Sequence, residues 1–545
     1  MNPARKYFFI ISSLFILTTS SNISESQVMQ QFDIMEATID DIHTGYDAGT
    51  LTTVKLVQMY LDRINAYDQA GPKINSIITV NPDALALAEQ LDRERLKKGV
   101  RGPLHGIPVL LKDNVNTFDM PTTNGSAILR GVVPPEDATL TRQLREAGAI
   151  ILGKAAMGEF ASGSYNSVSG QTINPYNFKR DTGGSSSGSA AAIAANFAVL
   201  AVGTDTSTSV RGPSAFNGIV GMRPTTGLIS RAGIAPKDLE FDTAGPMART
   251  VADVAHMLGV MAVADPSDQL SQSVWKEVAG NYEVSNGRVD FSAYLDKASL
   301  QGKRVGVLRD FFGGDPEIDA MANAALEQLT QLGATLVEIK LDADFMALYT
   351  GDGQTKIRRT ADSRFREDWE DYIATLPSTP QSVAEYISQY ETVVNKSALP
   401  GTDSAMRLMK SSMTTSTEDI EYKKLVSETL PKATADKLAV FEKYNVDVLV
   451  FPYETNFASV IKNPVYALED PTYVASDVPE PATMAGYNST GFPCVVVPMG
   501  FGTQGLPMDL AFFGKPYSDG PLLGYAFAYE QASKQRKPSP LLPPL

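Results

Sequence analysis

Short apolar runs alternate with helical stretches along most of this chain, and that alternation limits the fold more than any other feature. The runs at Ile77–Val80, Gly106–Leu111, Ala149–Gly153, Ala198–Gly203, Arg304–Leu308, Thr335–Ile339, Asp447–Phe451 and Cys494–Val497 read as strands. Between them, Val54, Val57, Tyr60, Leu61 and Ile64 follow a helical face, and Pro82 opens a helix to about Lys97. Further helices are predicted over Thr139–Ala147, Ser187–Asn196 (built from small residues) and Pro316–Leu332. Strands separated by helices imply an α/β layered fold around a largely central sheet. The stretch from about 343 to 444 is charged, helical in pattern and without strong strands. It reads as surface helices inserted between sheet strands, placed where they can shape a pocket. At 545 residues the chain exceeds one ordinary core, so one large domain and two remain open.

Composition removes several function classes. A formal net charge of −15 repels nucleic acid phosphates and disfavours stable residence on anionic lipid. With three histidines (His43, His105, His256) and one cysteine, Cys494, a His-rich metal cage, a thiolate cluster and an intrachain disulfide are all unavailable. No metal or organic cofactor is expected. Arg5 and Lys6, the apolar stretch Phe8–Leu17 and the small residues of 18–21 form a secretory signal pattern ending near residue 25. The expected destination is secreted or periplasmic, with 26–545 as the working domain.

Two loops of small polar residues carry hydroxyls that could do chemistry: Thr-Gly-Gly-Ser-Ser-Ser-Gly-Ser at 182–189 and Gly-Thr-Asp-Thr-Ser-Thr-Ser-Val-Arg at 203–211. Serines with a base other than histidine would suit a hydrolase that forms an acyl-enzyme. A nucleophile elbow centred on Ser186 is a poor fit, because Asn177–Thr182 reads as loop and His256 falls on the exposed face of its helix. Ser459-Val-Ile-Lys462 has the Ser-x-x-Lys spacing of penicillin-recognising enzymes but lacks their companion motifs. The remaining arrangement uses Lys112, at the end of an apolar run. Either its stem lies along the core with the ammonium in water, or desolvation leaves a neutral amine able to accept a proton.

At this point the chain resembles the amidase signature family, from about Ala37 to Ala532. The resemblance is dense in Leu104–Asp113, Gly183–Ala192, Gly203–Thr206, Ser209–Arg211, Gly221–Thr225, Gly491–Pro498 and Gly505–Pro507. It implies a large mixed central β-sheet covered by helices on both faces, and a Ser–cisSer–Lys triad falling on Ser209, Ser185 and Lys112. Ser209 would be the nucleophile, Ser185 the relay on a cis peptide bond and Lys112 the base. Backbone N–H groups of Thr206, Ser207, Thr208 and Ser209 would form the oxyanion hole. Here the chain departs from the family, which more usually has Gly-Gly where Ser207-Thr208 stands. Either the loop keeps ordinary backbone angles or the hole is reshaped. Asp205 and Arg211 are expected to pair and support the loop. Ser162 is either a pocket residue or an ordinary loop serine. Cys494 reads as a small buried strand residue.

The expected function is therefore hydrolysis of a linear carbon–nitrogen amide bond through an acyl-enzyme on Ser209. The partner would be a small-molecule or short peptide amide, with the activity peptide-amidase-like or broad. An exported esterase on the same triad and a non-catalytic α/β solute-binding protein are the alternatives. Oligomeric state has no readable signal.

Overall fold

The computed structural model describes residues 32–343, 345–346, 359–394, 403–461 and 491–545. The signal-like segment 1–25 and Lys462 of the Ser-x-x-Lys pair lie outside the described residues.

Eleven strands form one mixed sheet. From edge to edge they run Ile77–Val80, Ile150–Ala155, Pro108–Lys112, Leu200–Asp205, Thr243–Ala248, Val220–Arg223, Cys494–Phe501, Pro507–Phe513, Val448–Pro452, Arg304–Leu308 and Thr335–Ile339. Parallel pairing is confined to the flanks. Pro108–Lys112 runs parallel to both of its neighbours, and so does Arg304–Leu308. Antiparallel pairs join these two units through the middle. The parallel strands need covering on both faces, and helices pack against the sheet to supply it.

The layers are held by sequence choices that are local and specific. Pro316 opens the helix Pro316–Gln331 behind Asp315, whose carboxylate accepts the Glu317 N–H at 2.9 Å. The helix Ser187–Ala194 is composed of Ser, Gly, Ala and one Ile, and every residue in it is buried. Its size restriction has a visible cause at Gly188, where a Cβ would sit 2.2 Å from the Ser76 carbonyl oxygen and 2.4 Å from the Ala156 nitrogen. The Gly188 N–H instead donates to the Ala156 oxygen at 2.8 Å, which locks this helix against the end of the strand Ile150–Ala155.

Between Thr335–Ile339 and Val448–Pro452 the described residues carry the helices Arg359–Ile373, Val383–Val393, Asp403–Ser412, Ile420–Lys424 and Leu430–Tyr444. The first three of these build a separate aromatic core. Phe365, Trp369 and Tyr386 surround Phe160 with ring centroids 5.0–6.2 Å away. Phe160 belongs to the 158–164 loop and has φ +50°, so the helices grip a residue of the main unit that sits in left-handed backbone space.

Three sheet strands go beyond the sequence expectation: Val220–Arg223, Thr243–Ala248 and Pro507–Phe513. The stretch 177–182, expected as loop, instead contains the strand Asn177–Asp181, which pairs with Ile173–Asn174 in a small separate hairpin.

Candidate active site

Lys112 is the last residue of a strand whose five positions are all buried, with a parallel neighbour on either side. Its side chain has no route to water. Nζ meets Ser185 Oγ at 2.8 Å, Thr204 Oγ1 at 2.9 Å and the Thr204 carbonyl oxygen at 3.2 Å. Burial pushes the Lys112 amine well below the ordinary lysine range, and the positive charge of Lys237 pushes in the same direction. Asp205 and Asp242 oppose this, but they do not reverse it. A neutral amine has two N–H donors and one lone pair. The Thr204 carbonyl can only accept, so one of the two hydroxyls can turn its proton towards nitrogen. The open choice at the sequence level is thereby settled: the ammonium does not reach solvent.

The next side chain alternates to the other face of the strand. Asp113 pairs with Lys154 at 3.4 Å, both side chains wholly buried, and it accepts from the Thr123 N–H at 3.2 Å. This second lysine has a carboxylate partner, whereas Lys112 has hydroxyls.

Ser185 follows a cis peptide bond from Gly184. Contacts on every side fix this turn. Gly183, at φ +70°, donates to Asp181 Oδ1 at 2.7 Å, and the Ser185 carbonyl accepts from the Gly158 N–H at 3.0 Å. A Cβ on Gly184 would lie 1.9 Å from the Gly163 oxygen, so only glycine fits there. Ser186, the centre of the elbow-like motif, uses its hydroxyl to bond the Thr204 carbonyl at 3.2 Å. It braces the strand rather than pointing into a cleft.

Ser209 lies on the second loop, which the Ser186 N–H ties to the first by a 3.3 Å bond to the Ser209 carbonyl. The residue is slightly exposed, at 7 %, whereas Ser185 is at 1 %. Among the described residues, the N–H groups of Thr206, Ser207, Thr208 and Ser209 have no acceptor. None of the four has a positive φ, so the loop keeps ordinary backbone angles where the family more usually has glycines. Two threonine side chains tie the loop down, and the tie from Thr208 is one that glycine could not make. Thr206 Oγ1 donates to Asp242 at 2.6 Å, and Thr208 Oγ1 is 2.8 Å from the Tyr453 hydroxyl.

Beneath this loop, Asp205 is wholly buried between two guanidinium groups. It accepts from Arg211 Nε at 2.9 Å, from Arg223 at 3.1 Å and from the Val210 N–H at 3.1 Å. Burial alone would raise its pKa, but Arg211 and Arg223 hold the carboxyl well below the usual carboxylate range. Arg211 also reaches the Ser207 carbonyl at 2.6 Å, so one side chain fixes both ends of the turn. The Asp205–Arg211 pair is where the sequence places it. Arg223 stands in the Gly221–Thr225 motif, but in sequence it reads too easily as a surface or structural residue to claim for the site, and here it is structural.

A narrow cleft, with room for about one water, opens beside these loops, lined by Asn114, Thr204, Thr206, Lys237 and Asp242 among others. Ser162 is not a lining residue but touches one, since its Oγ accepts from Lys237 Nζ at 3.0 Å while the Ala161 carbonyl accepts from the same ammonium at 2.6 Å. Lys237 is a residue that sequence reasoning missed. The remaining candidates stand apart. Cys494 is a buried strand residue whose thiol burial pushes up to about 11, so it is no thiolate at neutral pH. His256 is half-buried rather than exposed, on the helix Val251–Met261. Among the described residues no group of His, Cys, Asp and Glu has metal-binding geometry.

Comparison with known proteins places the chain in a family. The family model for amidases matches residues 55–523. A probable amidase of Arabidopsis thaliana is 31 % identical over 541 residues, covering 97 % of this chain and 96 % of that protein. A glutamyl-tRNA(Gln) amidotransferase subunit of Symbiobacterium thermophilum is 35 % identical over 504 residues, covering 91 % and 96 %. Among solved structures, the native peptide amidase of Stenotrophomonas maltophilia superposes with a TM-score of 0.81 at 34 % identity, covering 92 % of this chain and 98 % of that one. The solute-binding alternative gives way to an enzyme. The chain belongs to the amidase family, the amidase-signature hydrolases, and is an amidohydrolase acting on amides.

Proposed function

We propose that this protein hydrolyses linear amides, among them peptide amides, through an acyl-enzyme on Ser209, with Ser185 as proton relay and Lys112 as base. The observation that carries the reading is the wholly buried Lys112 amine at 2.8 Å from Ser185 Oγ, on a turn hydrogen-bonded to the Ser209 loop. Neutral Lys112 takes the Ser185 proton as Ser185 takes that of Ser209, and Ser209 Oγ attacks the amide carbonyl. Negative charge then develops on the carbonyl oxygen, where the unpaired N–H groups of residues 206–209 can receive it. A single preorganised donor of this kind is worth about 3–4 kcal/mol. The tetrahedral intermediate collapses as the nitrogen receives a proton back from Lys112 through Ser185. The C–N bond breaks and the amine or ammonia leaves. Water enters, surrenders a proton along the same path, and cleaves the ester to release acid and restore Ser209.

The peptide amidase of Stenotrophomonas maltophilia, similar across nearly the whole chain, supports the peptide side of this reading. The N-terminal signal pattern supports export, which separates this role from one in tRNA amidation. The direct test is mass spectrometry of products from a panel of amides and C-terminally amidated peptides. Wild type should release the free acid and the amine or ammonia, and Ser209→Ala should not. Wild-type turnover by that variant would overturn the reading.

A further inference from the structure

One helix of the insert, Arg359–Ile373, presents two rows of side chains to the main unit, and each row ends on a different loop. Thr360 and Arg364 are four residues apart, as are Phe365 and Trp369, so each pair shares a face of the helix. Phe365 and Trp369 hold Phe160, with ring centroids 6.2 and 5.0 Å away. The loop of Phe160 bears directly on the Ser185 turn. Its Gly158 N–H donates to the Ser185 carbonyl at 3.0 Å, and its Gly163 carbonyl oxygen fills the space that a Cβ on Gly184 would need. The other row holds the loop 237–242. Thr360 Oγ1 donates to Asp238 at 2.5 Å, and Glu240 accepts from Arg364 at 2.5 Å and from the Tyr422 hydroxyl at 3.0 Å. That loop bears in turn on the Ser209 loop. One oxygen of Asp242 accepts from Thr206 Oγ1 at 2.6 Å, and the other accepts from the Lys237 and Asp238 N–H groups at 2.8 and 2.9 Å. Relay and nucleophile thus sit on separate loops, and the same helix reaches each of them through one intervening loop. A misplacement of about 1 Å between reacting groups can cost about a hundredfold in rate, so an element that fixes two such loops against one another acts on turnover.

We propose that the helix Arg359–Ile373 is a clamp that sets the spacing of the Ser185 and Ser209 loops, with Phe160 and Glu240 as the positioning residues through which it acts. Among the described residues neither side chain hydrogen-bonds Lys112, Ser185 or Ser209, so the effect passes through the loops. This rests on the Ser209 chemistry proposed above and adds what holds its geometry. The test measures hydrolysis of N-acetyl-leucinamide by the full-length protein, with rates expressed per folded molecule (near-UV circular dichroism) well below the Tm of each variant. Phe160→Leu and Glu240→Ala should each lower kcat at least fivefold and leave KM within twofold, because alignment is lost and binding is not. Glu240→Gln keeps a carbonyl acceptor for Arg364 and Tyr422 and should recover most of that kcat. Met409→Ala removes buried volume from the same aromatic core on another helix, Asp403–Ser412, and should lower Tm while keeping wild-type kcat. Wild-type kcat in both Phe160→Leu and Glu240→Ala, a loss confined to KM, or an equal loss of kcat in Met409→Ala overturns the clamp. Failure of the underlying reading looks different: wild type would not turn the amide over, or Ser209→Ala would match it.

Discussion

Lys112 and Ser185 meet through a 2.8 Å contact between Nζ and Oγ at a point where the lysine is completely withdrawn from water. Among the described residues no carboxylate hydrogen-bonds this lysine, whereas Lys154 in the adjacent strand has Asp113. Two buried lysines in neighbouring strands are thus set to different tasks by their partners. Burial lowers the pKa of both amines; the Asp113 carboxylate opposes this at Lys154 by direct contact, whereas Lys112 touches only hydroxyls and a carbonyl.

That electrostatic setting predicts a pH profile. The reactive form has Lys112 deprotonated, and its pKa is lowered in the folded protein, so activity holds above that value and falls as pH drops through it. Lys237 contributes to the lowering. Lys237→Met should therefore raise the Lys112 pKa and move the acid limb of kcat/KM to higher pH, while Lys237→Arg keeps it in place. An acid limb unmoved by Lys237→Met would show that the two charges do not communicate.

Asp205 holds the nucleophile loop from below, so Asp205→Asn leaves two buried guanidinium groups without their anion. Losing one partner of a buried ionic cluster typically costs about 3–5 kcal/mol. Denaturant unfolding should register a loss of that size. An effect under about 1 kcal/mol would mean that Arg211 and Arg223 find other partners.

Thr208 replaces a glycine more usual in the family and bonds the buried Tyr453 hydroxyl. Thr208→Val keeps the shape, removes the bond and strands a phenol. It should lower kcat roughly tenfold with little change in KM, as expected if loop alignment matters in the transition state. Tyr453→Phe should do the same, and the double variant should be no worse than either single one. Additive losses would refute a shared role.

Glu159 offers a test of the loop that carries Phe160. It is 2 % exposed, and burial raises its pKa to about 7, against the pull of Ser167. A carboxyl whose folded pKa lies above its unfolded value favours folding at low pH, and that contribution is lost as pH rises through 7. Glu159→Gln should therefore flatten the fall in Tm between pH 5 and pH 8, recovering on the order of 2–3 kcal/mol at the upper end. A parallel fall in both proteins would contradict a raised Glu159 pKa.

Much of the fold was legible because the flanking strands are apolar runs bounded by helices. Arg304–Leu308 and Thr335–Ile339 carry their bounds in the sequence. The three missed strands lie in the middle of the sheet. Thr243–Ala248 contains Gly245 and Pro246, and Val220–Arg223 ends in an arginine whose ion-pair partner is Asp205, eighteen residues earlier. Val220–Arg223 takes Cys494–Phe501 as one of its partners, a neighbour far along the chain that no local pattern records. The same holds at the site. Lys112, Ser185 and Ser209 sit in distinctive small-residue or apolar contexts, and the family resemblance picks them out. Lys237 stands in a loop without a local motif, and its place beside Ser162 comes from the fold.

The whole account turns on a hydroxyl acylated with help from an uncharged amine, and covalent labelling reads that most directly. The full-length protein treated with a fluorophosphonate probe, digested and mapped by mass spectrometry should carry a single adduct on Ser209. Labelling should be lost in Ser209→Ala and strongly slowed in Lys112→Met. An adduct on another residue, or equal labelling of Lys112→Met and wild type, would contradict it.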